Sequence, residues 1–455
     1  MRDEIRILLI NAINPMVEVE GRYPGLGSAY LAASVRKHLP GVDIKFRIAN
    51  RNIPKITCEY RPSLVGISSV SQNFTIAKNY ADFFSKLNIP VIMGGIHITS
   101  LPECLPENVS VACLGEGEIT FAKLIKAYLE DEFHSRGFEK IPGIVYWDDG
   151  NIQHTEPHSH MIDPSTIPLP ARDLLPIYPH TYMFTSRGCP YRCTFCASSR
   201  FWNTLRFFSA EYVADEIELL NHDYQVTMIS FFDDLFTASK SRLEEIIKIL
   251  EKRHLLKKIK FTCSCRANTV DNDLVKLLSY MGVVSVGIGM ESADEETLQY
   301  LKGNNICVSD NESAITLLKK SNIAVNGSFI IGSPYETGEQ IMRTYHFIRH
   351  SKLDLFDIYL LTPYPGTPVW DYALKRGLVN NDMTDWSCLD VNAYRNPEKA
   401  VILSEVLDKP DILKYYNKFR FLRLRRNIIK VLSHPMRRDI PKMAIALLKE
   451  KLSAS

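Results

Sequence analysis

The hydrophobic pattern divides the chain into two stretches in which strand-like and helix-like segments alternate. In the first stretch, from Ile5 to about Trp147, short β-rich apolar runs alternate with helical patterns such as SAYLAASVRKHL and FTIAKNYADFFSKL. The apolar runs read IRILLINAI, SLVGISSV, PVIMGGI and VACLG. This alternation predicts an α/β fold, with a doubly wound parallel sheet of about five strands. We therefore assign residues 1–149 to a Rossmann-like domain.

Small and polar residues follow the ends of several predicted strands in this domain. They form three segments: Ser68, Ser69, Val70 and Gln72; Gly94, Gly95 and His97; and Gly115, Glu116 and Gly117. Ligands of open α/β sheets bind beyond the carboxyl ends of the strands. Small residues let the backbone approach a bulky ligand closely, although each segment is also compatible with an ordinary turn. Together the segments predict a site for a large planar or nucleotide-like ligand.

A proline-rich segment, residues 150–180, interrupts the pattern. Its prolines are Pro164, Pro168, Pro170, Pro176 and Pro179. They leave little room for a helix or a central strand, so we predict an extended linker between domains. We interpret its histidines, His154, His158 and His160, as exposed polar residues rather than metal ligands.

After this linker, six further apolar runs alternate with helical patterns. They read TYMFTSRG, VTMISFFDD, IKFTCSCRAN, VVSVGIGMES, AVNGSFIIGSP and FDIYLLTPYPG. Six strand and helix repeats predict a partial (β/α)6 TIM-type barrel over residues 181–385, with function at the carboxyl ends of its strands. Residues 386–455 form the remaining region, which we expect to be mainly helical and basic.

Composition narrows the class of protein. The 455 residues exceed what one hydrophobic core usually organises, and 45% hydrophobic with 23% charged residues is typical of a soluble globular protein. A net charge of +2 argues against a general nucleic-acid binder. The N-terminal MRDEIRILLINAINP resembles a first strand rather than a signal peptide, and no apolar stretch approaches the ~20 residues that cross a bilayer. We therefore expect a cytoplasmic protein with reduced thiols.

Three cysteines lie close together in TSRGCPYRCTFCASS, on the loop after the first barrel strand. Cys189, Cys193 and Cys196 have the spacing C-x3-C-x2-C. A tight cluster of this kind in a reducing compartment indicates a metal site rather than disulfides. Structural zinc needs four ligands, and the nearest further cysteines, Cys263 and Cys265, lie beyond two predicted strand and helix units. Three thiolates on a four-iron four-sulfur (4Fe-4S) cluster would leave one iron open for chemistry.

These residues resemble a known family. RGCPYRCTFC is similar to the signature of the radical S-adenosylmethionine (SAM) superfamily. FFDDLFT, CRAN, GMES, GSFIIGSP and TPYPGTPVWD resemble segments that this superfamily carries at later strand ends. The segments YPGLGSAYLAA, GISSV, VIMGGIHIT and GEGE resemble the cobalamin-binding domain that precedes the barrel in one class of these enzymes. The resemblance spans about residues 5 to 375.

The resemblance implies that the three cysteines hold a 4Fe-4S cluster whose open iron chelates SAM. Phe195 would then pack near the adenine of SAM. Asp233 or Asp234 would lie near its amino group, although the common Gly-Gly-Glu form is missing there, so which aspartate acts stays open.

The remaining SAM contacts come from later strand ends. Arg266 would bind the SAM carboxylate, because a guanidinium fork can donate to both carboxylate oxygens. Glu291 and Ser292 would meet the ribose hydroxyls, and Ile331, within the segment 330–333, would line the adenine pocket through its backbone. A structural ion pair at the barrel mouth is the alternative for Arg266 and Glu291.

The resemblance also implies that cobalamin is bound by the ten residues of the three small and polar segments named above. One feature departs from many cobalamin proteins, because no D-x-H-x-x-G motif follows the first strand. The nearest match, EFHSRG with His134, comes after a late helix, and we attribute it to chance. We expect base-off methylcobalamin with residues 69–73 near its lower face, while His97 touches the nucleotide tail or terminates a loop.

The implied activity is a radical methyl transfer. A flavodoxin or ferredoxin type of donor would supply a low-potential electron for cleavage of SAM. The resulting 5′-deoxyadenosyl radical would take hydrogen from an unactivated sp3 carbon, and methylcobalamin would donate the methyl group. Three alternatives stay open: a cyclase or rearrangement enzyme with the same cofactors, a radical SAM enzyme whose first domain no longer binds cobalamin, and a sensor without turnover.

The substrate is left open by the sequence. Between Leu413 and Lys451 there are twelve Lys or Arg residues and two acidic residues, with apolar residues at roughly helical spacing. Such a stretch contacts a membrane surface or a protein partner, or packs on its own barrel. We favour a peptide or protein side chain, such as glutamine or arginine, because no large extra domain is present to wrap a small molecule. A lipid such as a hopanoid, or a porphyrin-like pigment precursor, is the other class.

Overall fold

The computed structural model describes residues 4–14, 25–133, 137–157, 161–391 and 397–433. His134, His158, His160 and the basic tail beyond residue 433 lie outside these ranges.

The first domain contains the predicted parallel sheet. Its strands are β1 (Ile5–Ala12), β2 (Ile44–Ala49), β3 (Leu64–Ser69), β4 (Val91–Gly94) and β5 (Val111–Cys113). The five strands are parallel in the order β2-β1-β3-β4-β5, which confirms the prediction. The connecting helices are α1 (Leu26–His38), α2 (Ile53–Tyr60), α3 (Phe74–Ser85), α4 (Ile96–Ser100) and α5 (Glu118–Asp131). The strand order reverses between β1 and β3, and ligands bind at such a switch point.

Strand β1 shows why the sheet is covered on both faces. Ile7 and Leu9 pack into one hydrophobic core, while Leu8 and Ile10 pack into the other. Successive side chains of a strand point to opposite faces, so a continuous apolar run requires helices on both sides.

A hairpin extends the sheet past the predicted domain boundary. Strands β6 (Ile144–Asp148) and β7 (Asn151–His154) are antiparallel and follow β5 at the sheet edge. Asp149 and Gly150 connect them with φ values of 45° and 76°, as a two-residue type I′ turn requires. The expected boundary at residue 149 falls inside this hairpin, so the sheet continues to the exposed His154.

The second domain is the predicted partial barrel. Its six strands are β8 (His180–Met183), β11 (Met228–Phe231), β12 (Lys260–Cys265), β13 (Val283–Glu291), β14 (Ala324–Ile331) and β15 (Leu355–Leu360). They are parallel and pair in chain order, leaving β8 and β15 as open edges. The short strands β9 (Ser186–Arg187) and β10 (Arg206–Phe207) form a separate ribbon near the mouth.

Helices surround this curved sheet. They are α6 (Ser198–Phe201), α7 (Ala210–Tyr224), α8 (Lys240–Lys252), α9 (Asn272–Met281), α10 (Glu295–Lys302), α11 (Val308–Lys320), α12 (Gly338–His350), α13 (Pro368–Lys375) and α14 (Lys409–Ser433). Helix α14 packs beside the edge strand β15, with Ile412, Tyr416, Phe419 and Leu422 buried. A helix at this position covers an open sheet edge. Within the described residues, no helix has the length and apolar character needed to span a bilayer.

The proline-rich segment is docked rather than solvated. Its described residues between β7 and β8 form short turns, as the prolines predict, but Ile167, Ala171 and Leu175 are buried in the core. Arg172 donates to Glu216 on α7 at 2.5 Å and to the Tyr182 carbonyl at 2.8 Å. The interpretation as an exposed extended linker was therefore wrong for this part, because its apolar residues hold it against both domains.

Replacing Glu216 with alanine should destabilise the protein strongly. Its carboxylate and the Arg172 guanidinium are fully enclosed, and removing one partner of a buried pair typically costs about 3–5 kcal/mol. Asp173→Ala is the matched control, because its bond to Arg36 is 2.9 Å long but half exposed, and such pairs contribute about 1 kcal/mol or less. Thermal unfolding measures both, and equal shifts in the two variants would contradict the interpretation.

Candidate functional site

A cavity of about 620 Å³ lies between the strand ends of the first domain and the barrel mouth. The first domain contributes Asn11 from β1 and the segment Ser68, Ser69 and Val70 from the end of β3. Half of the barrel residues that line the cavity are aromatic, namely Tyr182, Phe184, Phe201, Trp202 and Phe232. Asp234 and Gly188, beside the cysteine loop, also line the cavity. The cavity therefore connects the switch point of the sheet with the predicted cluster site.

A second cavity, of about 190 Å³, enters the first domain between the sheet and helices α1 and α5. Glycines line much of it: Gly27, Gly66, Gly94, Gly95, Gly115 and Gly117. Gly95 has φ of +103°, and a Cβ there would lie 2.5 Å from the Ser69 carbonyl oxygen. The two cavities share Ser68, Glu118 and Trp202, so they adjoin. A bulky ligand in the interdomain cavity has room here for a buried extension.

A third cavity, of about 410 Å³, shares the lining residues Asn11, Val70 and Ile96 with the interdomain cavity. Gln72 and Asn73 line it together with Tyr364 from the barrel, whose hydroxyl donates to Gln72 Oε1 at 3.2 Å. The structure therefore distributes nine of the ten predicted cobalamin residues over three adjacent cavities.

His97 is the exception, since it lines none of these three cavities. It is fully buried, with its ring 3.8 Å from that of Phe74 and 4.3 Å from that of Trp386. Its Nδ1 bonds to Ser71 Oγ at 3.1 Å, and burial lowers the pKa of the imidazole to about 3. The expectation that His97 touches a nucleotide tail is not supported by this placement, because the aromatic core encloses the side chain.

A buried ion network joins the two domains beside the cysteine loop. Arg187 donates to Glu116 at 2.6 Å and also to Glu118, and Arg206 pairs with Glu116 at 2.8 Å. Arg187 also stacks on Trp202 at 5.2 Å. Burial opposes ionisation of Glu116, but the hydrogen bonds from the arginines outweigh it and hold the pKa of its carboxyl below the usual value. Glu116 lines the inner cavity as expected, yet its carboxylate is committed to these arginines.

The three cysteines are half-buried on one loop that helix α10 holds. The Thr194 amide donates to the Leu301 carbonyl at 3.0 Å. Burial raises the pKa of Cys189 to about 11, so its thiolate needs a metal or cluster to form readily at neutral pH. Within the described part of the chain, no three His, Cys, Asp or Glu side chains are grouped around one metal ion. The loop supplies three cysteines with the spacing C-x3-C-x2-C, one ligand fewer than structural zinc needs.

Arg266 lies next to the cysteine loop. Its Nη1 is 3.6 Å from Cys193 Sγ, its Nη2 donates to the Lys302 carbonyl at 3.2 Å, and its guanidinium carbon is 3.9 Å from the Tyr191 ring centroid. Its Nε is buried without a hydrogen-bond partner. A buried donor without an acceptor is costly, so this atom is suited to a carboxylate brought by a ligand.

Glu291 pairs with a residue that the sequence did not single out. Lys302 Nζ is 3.8 Å from Glu291 Oε1 and donates to the Gly289 carbonyl. Glu291 has φ of +61°, unusual for a residue with a side chain. Burial raises the pKa of Glu291 and lowers the pKa of Lys302. The ion pair that we left open at the barrel mouth is thus formed by Glu291 with Lys302 rather than with Arg266.

The structure separates the roles of Asp233 and Asp234. Asp233 is buried and accepts from the Thr185 amide at 2.6 Å and from the Ser186 hydroxyl at 2.8 Å. Asp234 opens into the interdomain cavity and accepts from Ser198 at 2.6 Å. Although Asp234 faces the cavity, partial burial raises the pKa of its carboxyl. Asp234 is therefore the aspartate that is accessible to a ligand.

Three predicted SAM contacts occupy different environments. The buried Ser292 hydroxyl bonds to Thr344 at 3.2 Å and accepts from the Asp294 amide at 3.1 Å, so it is used inside the fold and does not face a ribose. Ile331 is fully buried, and its carbonyl accepts from Leu361 at 2.9 Å. Phe195 is half-buried against the hydrophobic core that contains Leu8 and Ile10.

A carboxylate that the sequence reasoning missed fixes the turn after Ile331. Glu336 accepts from the Gly332 amide at 2.7 Å and from the Ser333 amide at 3.2 Å. Burial raises the pKa of Glu336 to about 8. Two of the backbone donors expected near adenine are therefore already bonded. The sequence signal that could have identified Glu336 is the segment GSPYE, in which Gly332 and Ser333 lie four and three positions before the glutamate.

Two family models match the chain. The model of the Radical SAM superfamily matches residues 183–348, and the model of the B12 binding domain matches residues 15–125.

Relatives match over most of the chain. An uncharacterized methyltransferase of Pyrococcus horikoshii is 33% identical over 400 residues, which cover 82% of this chain and 84% of the relative. An anaerobic magnesium-protoporphyrin IX monomethyl ester cyclase of Cereibacter sphaeroides is 26% identical, over 88% of this chain and 68% of the relative.

A solved structure shares the fold. It is the radical S-adenosylmethionine methyltransferase TsrM from Kitasatospora setae with cobalamin and a 4Fe-4S cluster bound. The TM-score is 0.70 at 18% identity, covering 83% of this chain and 76% of that chain.

Substituting the two aspartates separately should give different phenotypes. Asp234→Asn should weaken SAM binding by about 1.5–3 kcal/mol, because a charge-assisted hydrogen bond is lost, and leave thermal stability unchanged. Asp233→Ala should instead lower stability by several kcal/mol, on the order of 1–3 for each buried donor left without an acceptor. Equilibrium dialysis with SAM and thermal unfolding measure these effects. The assignment fails if Asp234→Asn binds SAM normally.

Replacing Lys302 with methionine should weaken SAM binding in a pH-dependent way. Lys302 opposes the rise in the pKa of Glu291, so its loss raises that pKa further and favours the protonated carboxyl. SAM affinity of the variant should therefore improve as pH rises, while Lys302→Arg retains wild-type behaviour. Binding by dialysis across pH, with the electron paramagnetic resonance spectrum of the reduced cluster, tests this. A pH-independent defect would show that Lys302 acts only through packing.

Proposed function

The chain belongs to the radical SAM superfamily, in the class that carries a B12-binding domain, and on this premise we propose that it is a cobalamin-dependent methyltransferase acting on an unactivated sp3 carbon. The observation that carries the proposal is the interdomain cavity, which runs from Val70 at the sheet switch point to Asp234 beside the cysteine loop. A substrate in this cavity would contact both cofactor sites at once.

The residues around the cysteine loop fit a cluster and SAM. Cys189, Cys193 and Cys196 would hold the cluster through three of its irons. The unpartnered Arg266 Nε would take the SAM carboxylate, and Asp234 would take the amino group. When bound, the cluster supplies the electron that cleaves SAM, and cobalamin carries the methyl group that is transferred.

The first domain fits base-off cobalamin. The glycine-lined inner cavity would accept the nucleotide tail, with Gly94, Gly95, Gly115 and Gly117 allowing close approach. Ser68, Ser69 and Val70 would face the lower side of the corrin ring, and Gln72 would bond to its rim amides.

The cavity lining favours an apolar, planar substrate. Phe184, Tyr182 and Phe232 form a continuous wall, with ring centroids 6.0 and 4.8 Å apart, and Phe232 is 43% exposed. The charged Arg187 and Glu118 in the lining pair with each other. Pockets lined by aromatic side chains bury apolar rings well, whereas an amide group buried there without a polar partner is costly. The relative from Cereibacter sphaeroides is named for a tetrapyrrole, which supports the same class. Peptide and lipid substrates remain outcomes of the test below.

We further propose that the enzyme works in the reducing cytoplasm with a flavodoxin or ferredoxin type of electron donor. None of the ten cysteines is in a disulfide, which agrees with a reducing compartment. A cyclase with the same cofactors is the second candidate, because a named cyclase matches 88% of this chain.

The products distinguish these activities. We expect the anaerobically reconstituted protein with SAM, dithionite and a porphyrin monomethyl ester to release 5′-deoxyadenosine together with S-adenosylhomocysteine. The deuterated methyl group of labelled SAM should appear on a substrate carbon, as mass spectrometry would detect. Substrate conversion with 5′-deoxyadenosine alone identifies the cyclase instead. Methylation of arginine or glutamine peptides, or of a hopanoid, but not of the porphyrin, overturns the substrate proposal.

Cys193→Ala is the matched control for this experiment. It should abolish 5′-deoxyadenosine formation, because the cluster loses one of three protein ligands. Cobalamin content should persist, since the cavities of the first domain do not include this residue. Loss of both would show that cobalamin binding depends on an intact cluster loop.

A further inference from the structure

Helix α14 has a fixed orientation on the barrel. Arg423 pairs with Asp357 of β15 at 2.7 Å, and Arg426 donates to carbonyls at the end of α12, including that of Ser351 at 3.2 Å. Together with the buried apolar residues on its inner side, these bonds determine which side chains point outward. For the described side chains up to residue 427, the expectation that the basic stretch packs on its own barrel is therefore met by one face of the helix only.

The outward face combines cations with two large apolar side chains. Phe421 is 68% exposed, the highest value among the large hydrophobic residues of the described chain, and Leu424 is 56% exposed. Lys414, Lys418 and Arg425 surround them on the same side of the helix. We call these five residues the outer stripe. Residues three, four and seven positions apart share one helix face, so the stripe is continuous.

The stripe has an unbalanced charge. Helix α14 carries eight Lys or Arg residues and one acidic residue, Asp411 near its start. In the described structure, no carboxylate pairs with the three cations of the stripe, and Lys418 instead lies 5.1 Å from the Tyr345 ring centroid. Such a face attracts a surface of negative charge.

We propose that the outer stripe docks the enzyme on an anionic lipid surface. The stripe is convex and carried by a single helix, so it offers no groove for a peptide. Two apolar side chains pointing straight outward suit insertion at the level of the lipid headgroups, with cations around them contacting the phosphates. The proposal does not depend on the methyltransferase activity, because the stripe contributes to none of the three cavities.

Cosedimentation of the full chain with vesicles tests the proposal. The protein should bind vesicles of phosphatidylcholine with phosphatidylglycerol, and at least about tenfold more weakly those of phosphatidylcholine alone. Phe421→Ser with Leu424→Ser should weaken binding by about tenfold or more, because two apolar side chains that would be buried in the lipid are lost. Raised salt should weaken it further through screening.

Matched variants test whether loss of any exposed apolar side chain, or any change of net charge, would have the same effect on vesicle binding. Tyr178→Ser removes a side chain that is 60% exposed on the docked segment and should leave binding unchanged. Lys414→Glu with Arg425→Glu should abolish binding, whereas Lys123→Glu with Lys248→Glu, the same charge change on exposed positions of α5 and α8, should reduce it only slightly. Thermal unfolding confirms that each variant is folded. Equal binding by both charge-reversal variants, or capture of an acidic protein with no vesicle binding, would overturn the proposal.

Discussion

The arginine network between the domains is the interaction on which the candidate site depends. Arg187 lies two residues before Cys189, and its guanidinium is bonded to two glutamates of the cobalamin-type domain. These charges are nearly excluded from water, so separating the domains would leave them unpaired at high cost. The same bonds therefore set both the width of the interdomain cavity and the position at which the cysteine loop begins. The two candidate cofactor sites lie on separate sheets, so they can face one cavity only if the distance between the two domains is fixed.

Local sequence patterns were sufficient to predict the architecture. Strand and helix periodicity gave the five parallel strands of the first sheet and the six of the barrel, because burial on both faces requires continuous apolar runs. Small residues at the strand ends indicated the positions of the cavities, because a bulky ligand needs space there. The spacing of Cys189, Cys193 and Cys196 indicated an open cluster because three ligands on one loop do not close a zinc tetrahedron.

What could not be predicted depends on contacts between residues far apart in the chain. Lys302 is an ordinary lysine at a helix end until β13 brings Glu291 beside it. Asp233 and Asp234 are neighbours in sequence, and only the position of the Thr185 amide makes one structural and the other accessible. His97 lies in a promising segment, but the aromatic side chain that encloses it, Trp386, comes from nearly 300 residues later in the chain.

This last contact bears on the order in which the protein is made. The Trp386 amide donates to the Thr75 hydroxyl, and its ring packs on that of His97, so the core of the first domain contains a residue that follows the barrel in sequence. During synthesis from the N-terminus, the sheet can form early, but this core stays incomplete until the whole barrel has left the ribosome. The cofactor domain thus becomes fully packed only when its catalytic partner exists, so a prematurely terminated chain would expose Phe74 and His97 to the chaperones and proteases that remove unfinished proteins.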